Sequence, residues 1–233
     1  MLRLSKISRY APYSPEWFLN RLGKMTGSKM ACLMAPKGIG TGGMTYIRNK
    51  VSEVITGIST EKNITTEAIQ FGVDNEPKAI KYFQQVKNIP AIITDKHIIH
   101  DERYSVTPDG LLITNEKFSM SADEQHLNCE CLESKSYMTP SIHMAHVECE
   151  TPADIKALDP DLFWQVISQM AWCDTLVGNA IFFHPNFPET SRYRLGHVVF
   201  RKTELREDFK FFNTRIEEAR KIFNQKLQYS KQN

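Results

Sequence analysis

The chain has 233 residues, of which 41% are hydrophobic and 24% are charged, and its formal net charge is +2. It contains no long uncharged apolar run, so the composition argues against membrane-spanning and disordered classes and predicts one globular domain over residues 1–233. Because the net charge is small, any nucleic-acid-binding surface would have to be a local basic patch. The five cysteines include no Cys-x-x-Cys pair, and no signal-peptide pattern is present, which favours a cytoplasmic protein.

Helices dominate the prediction for the first part of the chain, over about residues 14–86. The Ser-Pro pair at 14–15 is typical of a helix start. The apolar stripe that follows consists of Trp17, Phe18, Leu22 and Met25. Residues 26–28 interrupt this pattern and are expected to cap a second short helix that runs through Met34. Gly38–Gly43 lacks the Gly-Lys-Ser/Thr ending of a P-loop and is interpreted as a flexible loop.

Two further helices are predicted before the strands begin. The first has apolar residues at helical spacing and ends at Gly57, a typical C-terminal stop. Its apolar positions are Tyr46, Ile47, Val51, Val54, Ile55 and Ile58. From Thr65 to Val86 the pattern is helical again, and Pro77 predicts a kink or a new start beside Glu76. The apolar positions of that segment are Ile69, Val73, Ile80 and Phe83.

A strand cluster follows, over about residues 91–201. The predicted strands are 91–100, 103–113, 127–137, 180–183 and 193–201. A helix from Asp159-Pro160 to about Thr175 separates the third strand from the fourth, and it carries Gln165 and Gln169 on one face. Thr203 is expected to cap a final helix over about 203–228. This order predicts an α/β fold with a central mixed sheet flanked by helices.

Three residues of the strand cluster suggest a catalytic centre. Glu133 and Lys135 are two apart on one strand, so their side chains project from the same face. If Asp109, at the end of its own strand, lies beside them, two carboxylates can hold a divalent cation next to the lysine. The alternatives are a solvated ion pair for Glu133 and Lys135 and a turn residue for Asp109.

Other residues carry weaker signals. Arg21, Thr26 and Ser28 combine a guanidinium with two hydroxyls near a helix N-terminus, which suits a phosphate, or they are a surface arginine and two caps. The Glu76 carboxylate either interacts favourably with a helix dipole or faces the metal. A structural zinc site is an alternative use of the cysteine and histidine residues in the middle of the chain. Its ligands would come from Cys129, Cys131, His143, His146 and Cys149.

Six short motifs, in order, cover nearly the whole chain. They are Trp17…Arg21-Leu-Gly-Lys-Met-Thr26-Gly-Ser28, Ser52-Glu-Val-Ile-Thr-Gly57, Gly72…Glu76-Pro-Lys-Ala79…Tyr82, Thr107-Pro-Asp109-Gly-Leu111, Leu132-Glu133-Ser-Lys135 and Trp164-Gln165-Val…Gln169-Met170. Together they resemble the lambda exonuclease family, also called YqaJ-type viral recombinases, within the restriction-endonuclease-like fold. The chain departs from the family pattern in having Ser136-Tyr137 after the lysine, and in a polar insertion around residues 119–126.

The resemblance implies a Mg²⁺-dependent 5′→3′ exonuclease, with Mn²⁺ as a substitute, that leaves 3′ overhangs on linear duplex DNA in a bacterial or phage-infected cell. A single-strand-annealing protein and a ring of three subunits are implied too. A non-catalytic DNA-end-binding module and a structure-specific or restriction-type endonuclease are the alternatives.

The resemblance also implies residue roles. Metal ligands would be Asp109, Glu133 and the main-chain carbonyl of Ser134, with Glu76 at a second cation. Lys135 would orient or deprotonate the attacking water, and its pKa is expected to be lowered by metal charge and burial. The DNA-binding residues would be Arg21, Thr26 and Ser28 at the 5′-phosphate, with Gln165 and Gln169 beside the active site.

Overall fold

The computed structural model of the chain describes residues 1–10, 14–61, 65–113 and 126–232. The predicted polar insertion therefore lies outside the described residues, apart from His126. The helices are α1 (Pro15–Arg21), α2 (Thr41–Thr56), α3 (Glu67–Lys87), α4 (Pro140–Val147), α5 (Pro152–Leu158), α6 (Pro160–Trp172) and α7 (Arg206–Tyr229). The strands are β1 (Leu2–Arg3), β2 (Met25–Thr26), β3 (Ala91–Ile93), β4 (Ile98–Ile99), β5 (Tyr104–Val106), β6 (Gly110–Ile113), β7 (His126–Leu127), β8 (Cys129–Lys135), β9 (Val177–Phe183) and β10 (Leu195–Arg201).

A mixed five-stranded sheet lies at the centre, in the order β10-β9-β8-β6-β3. Strands β8 and β9 are parallel, with Glu133 opposite Ala180, and the remaining neighbours are antiparallel. A second sheet has the order β2-β5-β4, and β1 pairs with β7. The predicted α/β fold, a mixed sheet flanked by helices, is confirmed.

Helices cover both faces of the central sheet. On one face α6 and α7 pack with the sheet in the main core, which includes Cys131. On the other face α3 contributes Phe83 to a smaller core that contains Leu132. Successive side chains of β8 therefore point to opposite faces, as strand geometry requires. Glu133, two residues after Cys131, is consequently directed to the side of α6. In the part of the chain that the structure describes, no helix is both long and apolar enough to cross a bilayer.

Several predicted helix ends are confirmed by their hydrogen bonds. The Ser14 hydroxyl accepts from the Trp17 N–H, and the Asp159 carboxylate caps α6 by accepting from the Leu162 N–H. Gly57 ends α2 with a φ of 69°, in the left-handed region that glycine adopts without strain.

Other cap and loop predictions are wrong. No side chain caps α7, which begins at Arg206 after Leu205 rather than after Thr203. The backbone at residues 25–26 forms β2, and the 3-10 helix Gly27–Leu33 follows without a side-chain cap from Thr26. The predicted loop ends early, because α2 already begins at Thr41.

The predicted apolar stripes of α1 and α2 are confirmed only in part: Trp17, Ile47 and Val51 are buried, and other members are exposed. Phe18 is 48% exposed, because a helix of two turns buries only the face that carries Trp17. Near the end of α2 the inward positions are taken by the buried polar residues Lys50 and Glu53. Three apolar side chains expected in the core consequently lie at the surface, namely Val54, Ile55 and Ile58.

The helix α3 is continuous through Pro77, and no new start occurs there. The proline ring is exposed, so the carbonyl that loses its hydrogen bond faces solvent, where water can satisfy it. Ile80 and Phe83 are buried as expected, whereas Ile69 and Val73 are exposed.

Three predicted strands are divided in the structure. Residues 91–100 form β3 and β4 in different sheets, because Asp95 takes a left-handed φ of 58° between them. Residues 103–113 form β5 and β6, separated at Thr107-Pro108-Asp109. The third divides into β7 and β8. Helices α4 and α5 were not predicted, whereas β9 and β10 lie within two or three residues of their expected positions.

A buried ion pair holds the segments around α1 and α2 together. Lys50 and Glu53 are 2% and 1% exposed, and their charged atoms lie 3.1 Å apart. Glu53 also accepts hydrogen bonds from the Gly23 N–H at 2.8 Å and from the Thr60 hydroxyl at 2.7 Å. One carboxylate thus fixes the loop after α1 and the segment after α2.

We expect Glu53→Ala to lower the free energy of unfolding by about 3 kcal/mol, because it leaves the Lys50 ammonium buried without its main partner. Glu61 lies 2.7 Å from the same ammonium and remains as a second partner. The expected loss is therefore at the lower end of the roughly 3–5 kcal/mol that breaking a buried ion pair costs. Urea denaturation measures the change. Glu61→Ala is the matched control, with an expected loss below about 1 kcal/mol, since Glu61 is 45% exposed. Equal losses in the two variants would contradict this assignment.

Candidate active site

Glu133 and Lys135 lie together on one face of β8, as their spacing predicts. The ammonium of Lys135 is 2.5 Å from a carboxylate oxygen of Glu133. Asp109 immediately precedes β6, and Gly110 of β6 pairs with Leu132 of β8. The Asp109 carboxylate accepts a hydrogen bond from the Ser134 N–H at 2.7 Å. The antiparallel pairing of β6 with β8 therefore brings Asp109 beside the Glu-x-Lys segment.

Two glutamines of α6 hold Glu133 from the other side. The side-chain amide of Gln165 donates to one carboxylate oxygen of Glu133 at 2.6 Å, and that of Gln169 donates to the other at 2.5 Å. Residues four apart share a helix face, which explains how both amides reach the same carboxylate. The expectation that these glutamines lie beside the active site agrees with this geometry.

The carboxylates crowd one another. Burial, with the nearby Glu133 and Glu76 carboxylates, raises the pKa of Asp109 well above its usual range. Burial and the Glu133 carboxylate also raise the pKa of Glu76, on α3. Three carboxylates thus face a single ammonium, so this part of the molecule has excess negative charge.

The Lys135 pKa depends on the charges around the ammonium, and its expected lowering by a metal ion stays a prediction. Burial lowers the pKa of the ammonium, but the Glu133 and Asp109 carboxylates outweigh burial and raise it above its usual value. Lys135 is therefore a firmly protonated cation here, suited to orienting a water or holding negative charge.

The donor set fits a hard divalent cation. Glu76, Asp109, Glu133 and Lys135 line a cleft of about 370 Å³, and their carboxylate oxygens are the ligand type that Mg²⁺ prefers. The N–H and C=O of a strand residue point to the same side, so the Ser134 carbonyl faces the Asp109 side of β8. Across the described ranges, no group of three or more His, Cys, Asp or Glu side chains is placed to hold a metal ion in the present geometry, so the fit is one of ligand type.

The three residues predicted to bind phosphate meet at a separate small cavity. Arg21, Thr26 and Ser28 line about 50 Å³, more than the roughly 30 Å³ share of one water molecule. Gly27 lies between them, where a Cβ would come within 2.9 Å of Ser168, so glycine permits this close approach of the backbone. The cavity is also lined by Gln165 and Gln169, which donate to Glu133 of the cleft.

Arg21 is not a surface arginine. Its side chain is 18% exposed, its guanidinium lies 4.2 Å from the centre of the Trp17 ring, and Glu61 is 3.9 Å away. The backbone N–H of Thr26 donates to the Tyr46 hydroxyl at 2.8 Å. These contacts hold the basic and hydroxyl groups at the cavity.

The residue that sequence reasoning missed is Thr107. It lines the same cavity and precedes Asp109 by two residues. A hydroxyl two residues ahead of the predicted catalytic aspartate was the available signal, but a Thr-Pro pair is also common in turns.

The residues of the zinc alternative do not converge. Cys129 and Cys131 are buried in the main core, while His143 and His146 lie on α4. His143 hydrogen-bonds the Tyr193 carbonyl, and His146 contacts Asp159 at 3.3 Å. All five cysteines are free thiols.

Comparison with known proteins agrees with this geometry. The family model for the YqaJ-like viral recombinase domain matches residues 16–175, more than half of the chain. No curated protein sequence matches significantly.

The chain is similar in structure to solved exonucleases. One is an alkaline exonuclease, LHK-Exo, from Laribacter hongkongensis, with 19% identity, 94% of this chain and 96% of that chain covered, and a TM-score of 0.69. The same enzyme in complex with dAMP gives 20% identity, the same coverage and a TM-score of 0.69. A phage-related exonuclease from Haemophilus somnus 129PT gives 14% identity, coverage of 89% and 96%, and a TM-score of 0.61. These likenesses establish the fold, and the matched family model shows that the chain belongs to the YqaJ-like viral recombinase domain family.

Proposed function

We propose that the chain is a Mg²⁺-dependent exonuclease that degrades one strand of linear duplex DNA from its 5′ end and leaves 3′ overhangs. Its family already makes it a nuclease, a hydrolase that acts on DNA. The observation that carries the finer proposal is the small cavity lined by Arg21 and hydroxyl residues, which shares Gln165 and Gln169 with the Glu133 side of the acidic cleft. A terminal phosphate held there would present the next phosphodiester bond to the cleft.

The acidic residues of the cleft are suited to metal-assisted hydrolysis. Asp109, Glu133 and the Ser134 carbonyl would hold Mg²⁺, or Mn²⁺ in its place, and Glu76 would support a second ion. A bound cation supplies neutralisation of the charge that builds on the phosphate.

The remaining side chains would position the reactants. Gln165 and Gln169 fix the Glu133 carboxylate through two hydrogen bonds, so its orientation is set before DNA arrives. Lys135, a cation held at Glu133, would orient the attacking water in line with the scissile bond and stabilise negative charge.

By family we further propose a ring of three subunits and transfer of the overhang to a single-strand-annealing protein. The dAMP complex of LHK-Exo supports a nucleotide-binding site in this fold.

Linear duplex DNA labelled at one 5′ end tests the proposal. With Mg²⁺ we expect early release of short labelled products and retention of the opposite strand. Without Mg²⁺, with EDTA present, we expect intact DNA. Release from the 3′ end first, or internal cleavage of closed circular DNA, would overturn the polarity. End binding without any turnover would identify a binding module instead.

We expect Arg21→Ala to reduce the preference for 5′-phosphorylated ends over 5′-hydroxyl ends by about tenfold or more, because it removes a charged hydrogen-bond donor from the cavity. The measurement is the ratio of initial rates on the two end types. Arg48→Ala, an exposed arginine of α2, is the matched control. An unchanged ratio in Arg21→Ala would remove Arg21 from phosphate recognition.

A further inference from the structure

His97 lies next to a residue of the phosphate cavity: it immediately precedes β4, and Thr107 of the cavity immediately follows the neighbouring strand β5. Strands β4 and β5 are antiparallel with Ile98 opposite Val106, so the same register continued by one residue places His97 opposite Thr107. Their side chains meet: the Nδ1 atom of His97 is 2.9 Å from the Thr107 Oγ1 atom. His97 is 0% exposed, although it is a titratable residue.

The imidazole of His97 is neutral at physiological pH. Burial, with the nearby charges of Arg21 and Lys24, lowers the pKa of His97 to about 4. A neutral imidazole carries one hydrogen, on one of its two nitrogens.

The surroundings of the ring favour the tautomer with this hydrogen on Nδ1, the nitrogen that contacts Thr107. Within the described structure the Nε2 atom has no hydrogen-bond partner, which leaves Nδ1 as the donor. The direction of the contact decides what Thr107 can do. In this tautomer the Thr107 oxygen accepts from His97, so the hydroxyl hydrogen of Thr107 is available to a group in the cavity.

The opposite wall of the cavity depends on the same histidine. Its ring packs edge to face with Trp17, with centroids 5.8 Å apart, and Trp17 carries the Arg21 guanidinium on its face. His97 therefore contacts the support of Arg21 and the hydroxyl of Thr107.

We propose that His97 is a positioning residue for the cavity: it fixes the Thr107 hydroxyl as a donor toward the terminal phosphate and so determines the preference for phosphorylated ends. This inference rests on the proposed exonuclease function. It adds a buried residue that would act through Thr107 and would not touch DNA.

The test compares two substitutions of His97 by the ratio of initial rates on 5′-phosphate and 5′-hydroxyl ends. His97→Leu removes the donor, and we expect the ratio to fall about tenfold. His97→Asn retains an N–H near the place of Nδ1, and we expect it to keep most of the preference. A purely structural role would not distinguish the two by the ratio, so recovery in the asparagine variant supports the proposal.

A double-mutant cycle adds a second readout. Thr107→Val removes the hydroxyl at nearly constant volume, and we expect it to lower the ratio by itself. In that background His97→Leu should lower the ratio much less than it does in wild type, because its main effect passes through the Thr107 hydroxyl and only the packing on Trp17 remains to be lost. Effects that multiply would overturn the route through Thr107.

His197→Leu is the matched control. His197 is also a neutral histidine, with a pKa lowered to about 4 chiefly by burial, but it hydrogen-bonds Asn179 at 2.9 Å under α3. We expect its ratio to equal that of wild type. Thermal unfolding of each variant shows whether it is folded. If His97→Leu does not fold, the comparison of His97→Asn with Thr107→Val decides. A rate ratio of His97→Asn as low as that of Thr107→Val would then overturn the proposal.

Failure of the inference differs from failure of the proposed function. If wild type prefers phosphorylated ends and Thr107→Val loses the preference while folded His97→Leu keeps it, His97 has no such role and the phosphate cavity stands. If wild type has no preference, both the cavity assignment and the role of His97 are overturned.

Discussion

Replacing Lys135 by alanine is expected to lower the cleavage rate by about 10²- to 10³-fold, the usual cost of removing one group that stabilises developing negative charge. Binding to DNA ends should remain, because Arg21, Thr26 and Ser28 line a different cavity. Glu133 should keep its orientation, since Gln165 and Gln169 still donate to it. Single-turnover cleavage and a binding assay in EDTA separate the two properties.

Lys156→Ala provides the control for loss of a positive charge. Lys156 is an exposed lysine of α5 that pairs with Asp208, away from the cleft. We expect both the cleavage rate and the DNA-end binding of this variant to match those of wild type. Cleavage by Lys135→Ala within about tenfold of wild type, a barrier change of only about 1.4 kcal/mol, would exclude Lys135 from the chemistry.

Asp109→Asn should abolish Mg²⁺-dependent cleavage and, without metal, make the protein more stable. The substitution removes a carboxylate that burial, Glu133 and Glu76 all disfavour, while an amide oxygen can still accept from the Ser134 N–H. We expect the Tm in EDTA to rise by about 2–4 °C, the shift that 1 kcal/mol gives in a chain of this size.

Metal binding gives the same variant a second readout. Added Mg²⁺ should raise the Tm of wild type by mass action and leave that of Asp109→Asn nearly unchanged. Combining Asp109→Asn with Glu133→Gln should add little to the loss of activity, because parts of one site fail together. Glu130→Gln, on β8 but bonded to Asn179 of β9, is the control and should behave as wild type. Full activity of Asp109→Asn, or an equal Mg²⁺ response, would show that the metal lies elsewhere.

Local patterns predicted the pieces of the candidate site better than its assembly. The two-residue spacing of Glu133 and Lys135 and the four-residue spacing of the α6 glutamines determine which side chains share a face. Where those faces meet depends on the pairing of β6 with β8, which joins residues far apart in the chain.

The errors have physical causes of two kinds. The exposure of Val54 depends on tertiary structure, because it follows from the burial of polar residues at the end of α2. By contrast, α4 and α5 carried local signals that were overlooked. Each begins with a Thr-Pro pair, with the threonine at the N-cap and the proline as the first helical residue. In α5, Thr151 also forms a capping box with Asp154.

Gln165 and Gln169 of α6 line the cavity and also donate to Glu133 of the cleft, so one helix connects the two places. The two residues are roughly 6 Å apart along the helix axis, and the backbone sets this spacing. Under the proposed function, the anchored chain end and the point of scission would be held apart by rigid secondary structure. The position of each cut would then be set from the terminus and would not depend on the identity of the bases.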